Sequence, residues 1–159
     1  MIIAIGSDRR GYKVKTLLQQ DLSSDSISFI DVGPFDDCYP VDYPIYGKKV
    51  GETVVNCKAD YGVVICSTGI GIMIAANKVK GIRCGIAYSD EVARLMREHN
   101  DANVIAFGQD YMNYDDIKNR LTIFLNTKYL GQYHDTRVKQ LSDIEKGLEI
   151  QQTPFMKSF

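Results

Sequence analysis

The chain predicts a doubly wound α/β fold: a parallel sheet of five strands covered on both faces by helices, with a C-terminal helix. Short β-branched and apolar runs alternate with segments of helical periodicity along the whole sequence, and several of the runs end at a glycine-bearing turn. The composition, 45% hydrophobic and 25% charged with 13 Gly and 4 Pro, is that of an ordinary globular domain. At 159 residues the chain suits one domain, taken as residues 1–150 with 151–159 as a tail.

The first strand is the apolar run 2–5, stopped by Gly6-Ser7-Asp8. Val14, Leu17, Leu18 and Leu22 then recur at three- and four-residue steps and predict a helix over Tyr12–Leu22. Residues 27–32 read as the second strand, closed by Gly33-Pro34, and 34–44 as a polar loop of functional length. A helix over 46–55 precedes the clearest strand, Tyr61–Cys66, which runs straight into Ser67-Thr68-Gly69-Ile70-Gly71. A helix over 72–79, a strand over 83–88, a helix over 90–99 and a strand over 104–107 follow. Residues 115–125 are helical, and Val138, Leu141, Ile144 and Leu148 form one apolar stripe on a last helix.

Composition also excludes function classes. Nineteen basic against 20 acidic residues leave a net charge of −1, so no global field gathers nucleic acid. No apolar run approaches the roughly 18 residues of a membrane span, and the first residues lack a basic leader, so a cytoplasmic protein is expected. Four cysteines without CxxC spacing suit reduced thiols. For Cys38, Cys57 and Cys84 the expected role is that of a small buried hydrophobe.

In a parallel sheet of this kind ligands bind beyond the carboxyl ends of the strands, where strand order reverses. That rule selects Asp8, Arg9 and Arg10 after the first strand, residues 66–71 after the third, Ser89 and Asp90 after the fourth, and Gln109 and Asp110 after the fifth, while His99 and Asn100 precede the fifth strand. Small residues and free N–H groups over 66–71 make an anion nest, for a phosphate or for the oxyanion of an enediolate; a plain glycine turn would look the same. The spacing is neither a Walker A loop nor GxGxxG, so ATP and NAD are not indicated. Cys66, at the last strand position beside the nest, is either a base or a small buried hydrophobe. His99 and His134 are flanked by polar residues, which argues against core packing, and no spacing in the chain resembles a metal motif. General acid work suits His99, and Arg9, Arg10 and Arg137 are candidate phosphate clamps, Arg9 foremost by position.

Gly6-Ser7-Asp8, Asp42-Tyr43-Pro44, the stretch from Ile65 to Ile72, Ala75-Ala76-Asn77-Lys78 and the stretch from Arg97 to Val104 together resemble the ribose/galactose-6-phosphate isomerase family, in order from Ile2 to about Val138. The resemblance implies a three-layer, Rossmann-like fold, aldose–ketose isomerisation of a sugar phosphate, no metal or organic cofactor, and a homodimer or tetramer of dimers whose sites are shared between subunits. By position it implies Cys66 as the base that moves a proton between C1 and C2 through a cis-enediolate. Thr68 and the N–H groups around Gly69 and Gly71 would be the anion hole, and His99 the residue that opens the sugar ring. Asp8 and Tyr43 would touch substrate, and Asn100, with His99, would reach the pocket from the neighbouring subunit. Ile72, where some relatives carry glutamate, places the chain with the cysteine users.

Several positions depart from the family. Arg9 stands in place of a common histidine, Ser67 in place of glycine, and Asp110 and Tyr133 in place of two arginines, while Arg137 is retained. Phosphate binding is therefore expected to be redrawn around Arg9, with Arg10 as a helper and Arg137 retained, and with Ser67 narrowing the pocket or adding a hydrogen bond. The expected reaction is ribose 5-phosphate to ribulose 5-phosphate. A hexose 6-phosphate isomerase and a catalytically silent sugar-phosphate-binding subunit are the alternatives.

Overall fold

The structure, a computed structural model, describes residues 1–152. The strands are β1 (Ile2–Ser7), β2 (Ser28–Asp31), β3 (Tyr61–Cys66), β4 (Cys84–Ile86) and β5 (Val104–Gly108). The helices are α1 (Tyr12–Leu22), α2 (Tyr43–Val55), α3 (Ile70–Asn77), α4 (Asp90–Glu98), α5 (Tyr114–Asn126) and α6 (Tyr133–Glu145). All pairings are parallel, in the order β2-β1-β3-β5-β4. From β1 the chain moves outward to β2 and then back past β1 to β3, so the order reverses between β1 and β3.

Period-two alternation decides which helices cover which face. Ile3, Ile5, Val63, Ile65, Ile105 and Phe107 pack in one cluster with Val14 and Leu18 of α1, Ala93 and Met96 of α4, and Ile117, Leu121 and Phe124 of α5. Ala4, Val64, Cys66, Val104 and Ala106 face the other way, onto Val50 and Val54 of α2 and Ile72 and Ala76 of α3. The expected three layers are the layers observed. One buried charge joins them. Lys15 is 0% exposed, and its Nζ donates to both Asp31 carboxylate oxygens at 2.7 and 2.8 Å and to the Pro34 carbonyl at 2.6 Å. A fully partnered ammonium avoids the penalty of a bare buried charge and ties α1 to the end of β2.

Several expected boundaries and burials are corrected. Helix α2 starts at Tyr43 rather than at 46, because Pro44 occupies its first turn, where a missing N–H costs nothing. Helix α3 covers Ile70–Asn77 rather than 72–79: Gly69, at φ +80, launches it earlier, and the Asn77 amide leaves the helix to pair with the Cys84 backbone at 2.8 Å in both directions. Edge strand β4 pairs only with β5 and is three residues long. Gly147, at φ +70, follows the end of α6, so Leu148 lies beyond the helix. The α6 stripe is not buried in the chain: Leu141, Ile144 and Leu148 are all exposed. Cys38 and Cys57 are exposed rather than buried. His134, expected at the surface, is only 5% exposed. Of the expected tail, Gln151 and Gln152 are exposed and 153–159 lie outside the described residues.

Candidate active site

Alternation along β3 sends Val63 and Ile65 to one face and Cys66 to the other, so the strand ends by delivering a sulfur into the layer where α3 begins. Cys66 is 4% exposed, and the Gly69 N–H donates to its Sγ at 3.1 Å. Helix α3 has no side-chain N-cap: Gly69 fills that position in the left-handed conformation. The Ile70 N–H donates to Thr68 Oγ1 at 3.3 Å, whereas the N–H groups of Gly71 and Ile72 have no partner among the described residues. The unmet donors thus stand in the first turn of the helix whose N-cap, Gly69, gives its own N–H to the sulfur.

Two glycines make this approach possible. A Cβ on Gly71 would lie 2.7 Å from two ring carbons of Tyr43 and 3.1 Å from its hydroxyl oxygen, so the first turn of α2 lays Tyr43 across the nest. A Cβ on Gly108 would stand 2.4 Å from the Thr68 carbonyl oxygen, which fixes the β3 turn against the end of β5.

The turns after β3 and β5 continue side by side: the Gln109 N–H donates to the Cys66 carbonyl and the Asp110 N–H to that of Ser67, both at 3.0 Å. Asp110 is the hub of this rim. Its carboxylate accepts from the Ser67 hydroxyl, from the Gln109 amide and, at 3.0 Å, from Arg10 Nη2. The Ser67 hydrogen bond first, and then Arg10, hold its carboxyl below the usual carboxylate range. After β1, the Asp8 N–H donates to the Ile65 carbonyl at 3.0 Å and the Asp8 carboxylate accepts from Gly11 N–H at 2.9 Å. The Arg9 side chain is exposed and makes no hydrogen bond or ion pair among the described residues.

The structure thus brings Asp8, Arg9, Tyr43, Cys66, Ser67, Thr68, Gly69 and Gly71 to the carboxyl end of the sheet. It puts His99, Asn100 and Arg137 at the other end. Helix α4 returns antiparallel to the strands, and 99–103 lead into β5 beside Gly62, whose N–H donates to the Asn103 carbonyl at 2.9 Å. From Gly62 to Cys66 is four strand steps, about 13 Å. There His99 stacks on His134, centroids 4.2 Å apart and planes 14° off parallel, with Tyr133 against the other histidine at 3.9 Å. His134 Nε2 is buried without a partner, and burial first, then the neighbouring His99 and Arg137, push its imidazole below the ordinary histidine range. Arg137 lies over the Tyr133 ring at 5.1 Å, and Asn100 lines a cavity of about 400 Å³ with Cys84, Met96, Leu141 and Ile144.

The switch-point rule places Asp110 among the residues at the strand ends, but nothing in the sequence marks it as the group that joins Ser67, Gln109 and Arg10, because those partners come from separate turns. The stacking of the two histidines left no trace in spacing, since α6 brings His134 to His99 from 35 positions away. Among the described residues no group of three or more His, Cys, Asp or Glu is placed to hold a metal ion, and no helix is long and apolar enough to cross a membrane.

The profile of the family described as Ribose/Galactose Isomerase matches residues 3–141. Ribose-5-phosphate isomerase B of Escherichia coli is 36% identical, covering 91% of this chain and 96% of its own. Galactose-6-phosphate isomerase subunit LacB of Clostridium acetobutylicum is 37% identical, covering 94% of this chain and 82% of its own. The structure of Clostridium thermocellum ribose-5-phosphate isomerase B superposes with a TM-score of 0.90 at 41% identity, over 92% of this chain and 99% of its own.

Proposed function

We propose that this chain, which belongs to the Ribose/Galactose Isomerase family and is an isomerase, interconverts D-ribose 5-phosphate and D-ribulose 5-phosphate with Cys66 as the base. The observation that carries the reading is the sulfur itself: buried at the sheet's switch point, it receives the N–H of Gly69 at 3.1 Å, and Gly69 opens a helix whose Gly71 and Ile72 N–H groups have no partner among the described residues. An N–H aimed at Sγ stabilises negative charge on sulfur. The thiolate takes the proton from C2 of the open-chain aldose, the electron pair moves into the C1–C2 bond, and charge develops on O1. The Gly71 and Ile72 N–H groups and the Thr68 hydroxyl hold that charge as a preorganised anion hole. The O2 proton passes to O1, and as the electron pair on O2 re-forms the carbonyl at C2, the electrons of the C1–C2 double bond take the proton back from the thiol at C1, which regenerates the thiolate. Asp8 and Tyr43 position the sugar across the nest.

Ring opening would fall to His99, with Asn100 on the sugar oxygens and Arg137 on the phosphate, all supplied by a second copy. Within one chain these residues lie a strand length from Cys66, and a cytosolic homodimer or tetramer of dimers would join the halves. Exposed Ile70 and Ile74 on α3 and Leu141 and Ile144 on α6 supply apolar surface for such an assembly. A hexose 6-phosphate substrate is the second reading, favoured by the likeness to the LacB subunit.

The test is ribulose 5-phosphate formation in EDTA, with Cys66→Ala and a hexose 6-phosphate beside it. Turnover that survives EDTA and collapses in the variant supports the thiolate mechanism. Turnover of the hexose alone transfers the assignment to the second reading, and no turnover of either overturns both.

A further inference from the structure

Two adjacent arginines follow β1, and the structure treats them differently. Arg9 is exposed and its side chain has no hydrogen-bond or ion-pair partner among the described residues, whereas Arg10 is carried across to the turn after β5, its Nη2 3.0 Å from Asp110 Oδ2. Asp110 is in turn held by the Ser67 hydroxyl and the Gln109 amide, and Ser67 follows Cys66 directly. A guanidinium has five N–H groups in a rigid fork, and Asp110 takes one, so the remainder stay open on a half-exposed rim. A tethered guanidinium loses less freedom on meeting an anion than a free one.

We infer that Arg10 is the residue of this rim that grips the phosphate of the substrate, and that Asp110 is its positioning residue, linking the grip through Ser67 to the turn that carries the thiol. The assignment rests on the sugar-phosphate reading above and adds to it which arginine binds and what aims it. A lone carboxylate on this rim would repel phosphate; paired with Arg10 it becomes the anchor of the cation instead.

The experiment compares Arg9→Ala, Arg10→Ala, Arg10→Lys, Asp110→Ala and the Arg10→Ala/Asp110→Ala double variant by steady-state kinetics, with inorganic phosphate as competitive inhibitor. Arg10→Ala is expected to raise KM about tenfold or more and the phosphate inhibition constant in step, with kcat within about threefold, and Arg10→Lys to recover part of the loss. Asp110→Ala is expected to raise KM about threefold to tenfold in the presence of Arg10 and to do nothing in its absence. An Arg10→Ala variant with unchanged KM and phosphate inhibition, or an Arg9→Ala variant that carries the whole effect, overturns the assignment of Arg10. An Asp110→Ala effect of equal size in the Arg10→Ala background overturns the positioning role. If no sugar phosphate is turned over, the isomerase reading fails by itself, and ³¹P line broadening of inorganic phosphate by wild type and Arg10→Ala still decides the arginine: equal broadening overturns it.

Discussion

The two ends of the sheet are built in different ways. At the carboxyl end most candidate groups sit on or beside short strand-to-helix turns locked by backbone: Gly69 and Gly108 leave no room for a Cβ between the turns, Asp8 closes its own turn, and Lys15 pins α1 to Asp31 from inside the core. At the opposite end His99, Asn100 and Arg137 sit on helix termini and on a helix whose apolar stripe is exposed. The first end has the geometry of a preorganised anion hole. The second resembles one half of an interface, with a buried imidazole whose Nε2 has no partner among the described residues and, separately, a cavity lined by Asn100, Leu141 and Ile144. Chemistry that needs a base and a ring-opening acid within a few ångströms therefore asks for the second end of another copy.

Mixing variants is the strongest way to break this comparison. Cys66→Ala and His99→Ala are each expected to lower kcat, Cys66→Ala by about 10³-fold. Unfolded together in equal amounts and refolded, they should regain about a quarter of wild-type activity, because half of the dimers are mixed and each of these holds one intact site. Failure to regain activity would confine both residues to roles within one chain.

The stiffness of the carboxyl end rests in part on Lys15. Replacing Asp31 with Ala strands a buried ammonium and is expected to cost about 3 kcal/mol, read as a fall in Tm of roughly 6–12 °C. An unchanged Tm would show that Lys15 reaches water or its other acceptor suffices.

Gly69→Ala tests the turn itself. A Cβ there meets the Phe107 carbonyl carbon at 2.9 Å on a backbone at φ +80, so about 1–3 kcal/mol of stability and about tenfold in kcat/KM should be lost together.

The smallest expected effect lies at the other end. His134 has a folded-state pKa depressed by burial, so it binds its proton less readily folded than unfolded. Its contribution is fully present above the ordinary histidine value of about 6.5 and is lost as pH falls through that value towards the depressed one. Tm measured from pH 8 to pH 5 should fall on the acid side, and less so in His134→Gln, which carries no imidazole to charge. His99, Tyr133, Asp135 and Arg137 surround it, and a slope unaltered by the substitution would move the effect to one of them.

How legible the molecule was in its residues differs between these ends. Strand β3 and helix α1 were readable to the residue, because a run of β-branched residues or a three-to-four step is a local property of backbone and side chain. The nest was readable too: a strand that ends in Cys-Ser-Thr-Gly-Ile-Gly has free N–H groups wherever it folds. Exposure of the α6 stripe was not, since amphipathic spacing states that an apolar face needs a partner and not which chain provides it.

The amino-acid sequence by itself determined the alternation of strands and helices, the sulfur at the end of β3 and the glycines that let Tyr43 and the β5 turn close on it, all matters of local stereochemistry. Tertiary structure alone decided that Arg10 rather than Arg9 is tethered, that Asp110 joins it to Ser67, and that His134 slides under His99. Each of those pairs spans 35 to 100 positions along the chain, and contacts at such separations are set by how the layers pack rather than by any spacing along the chain.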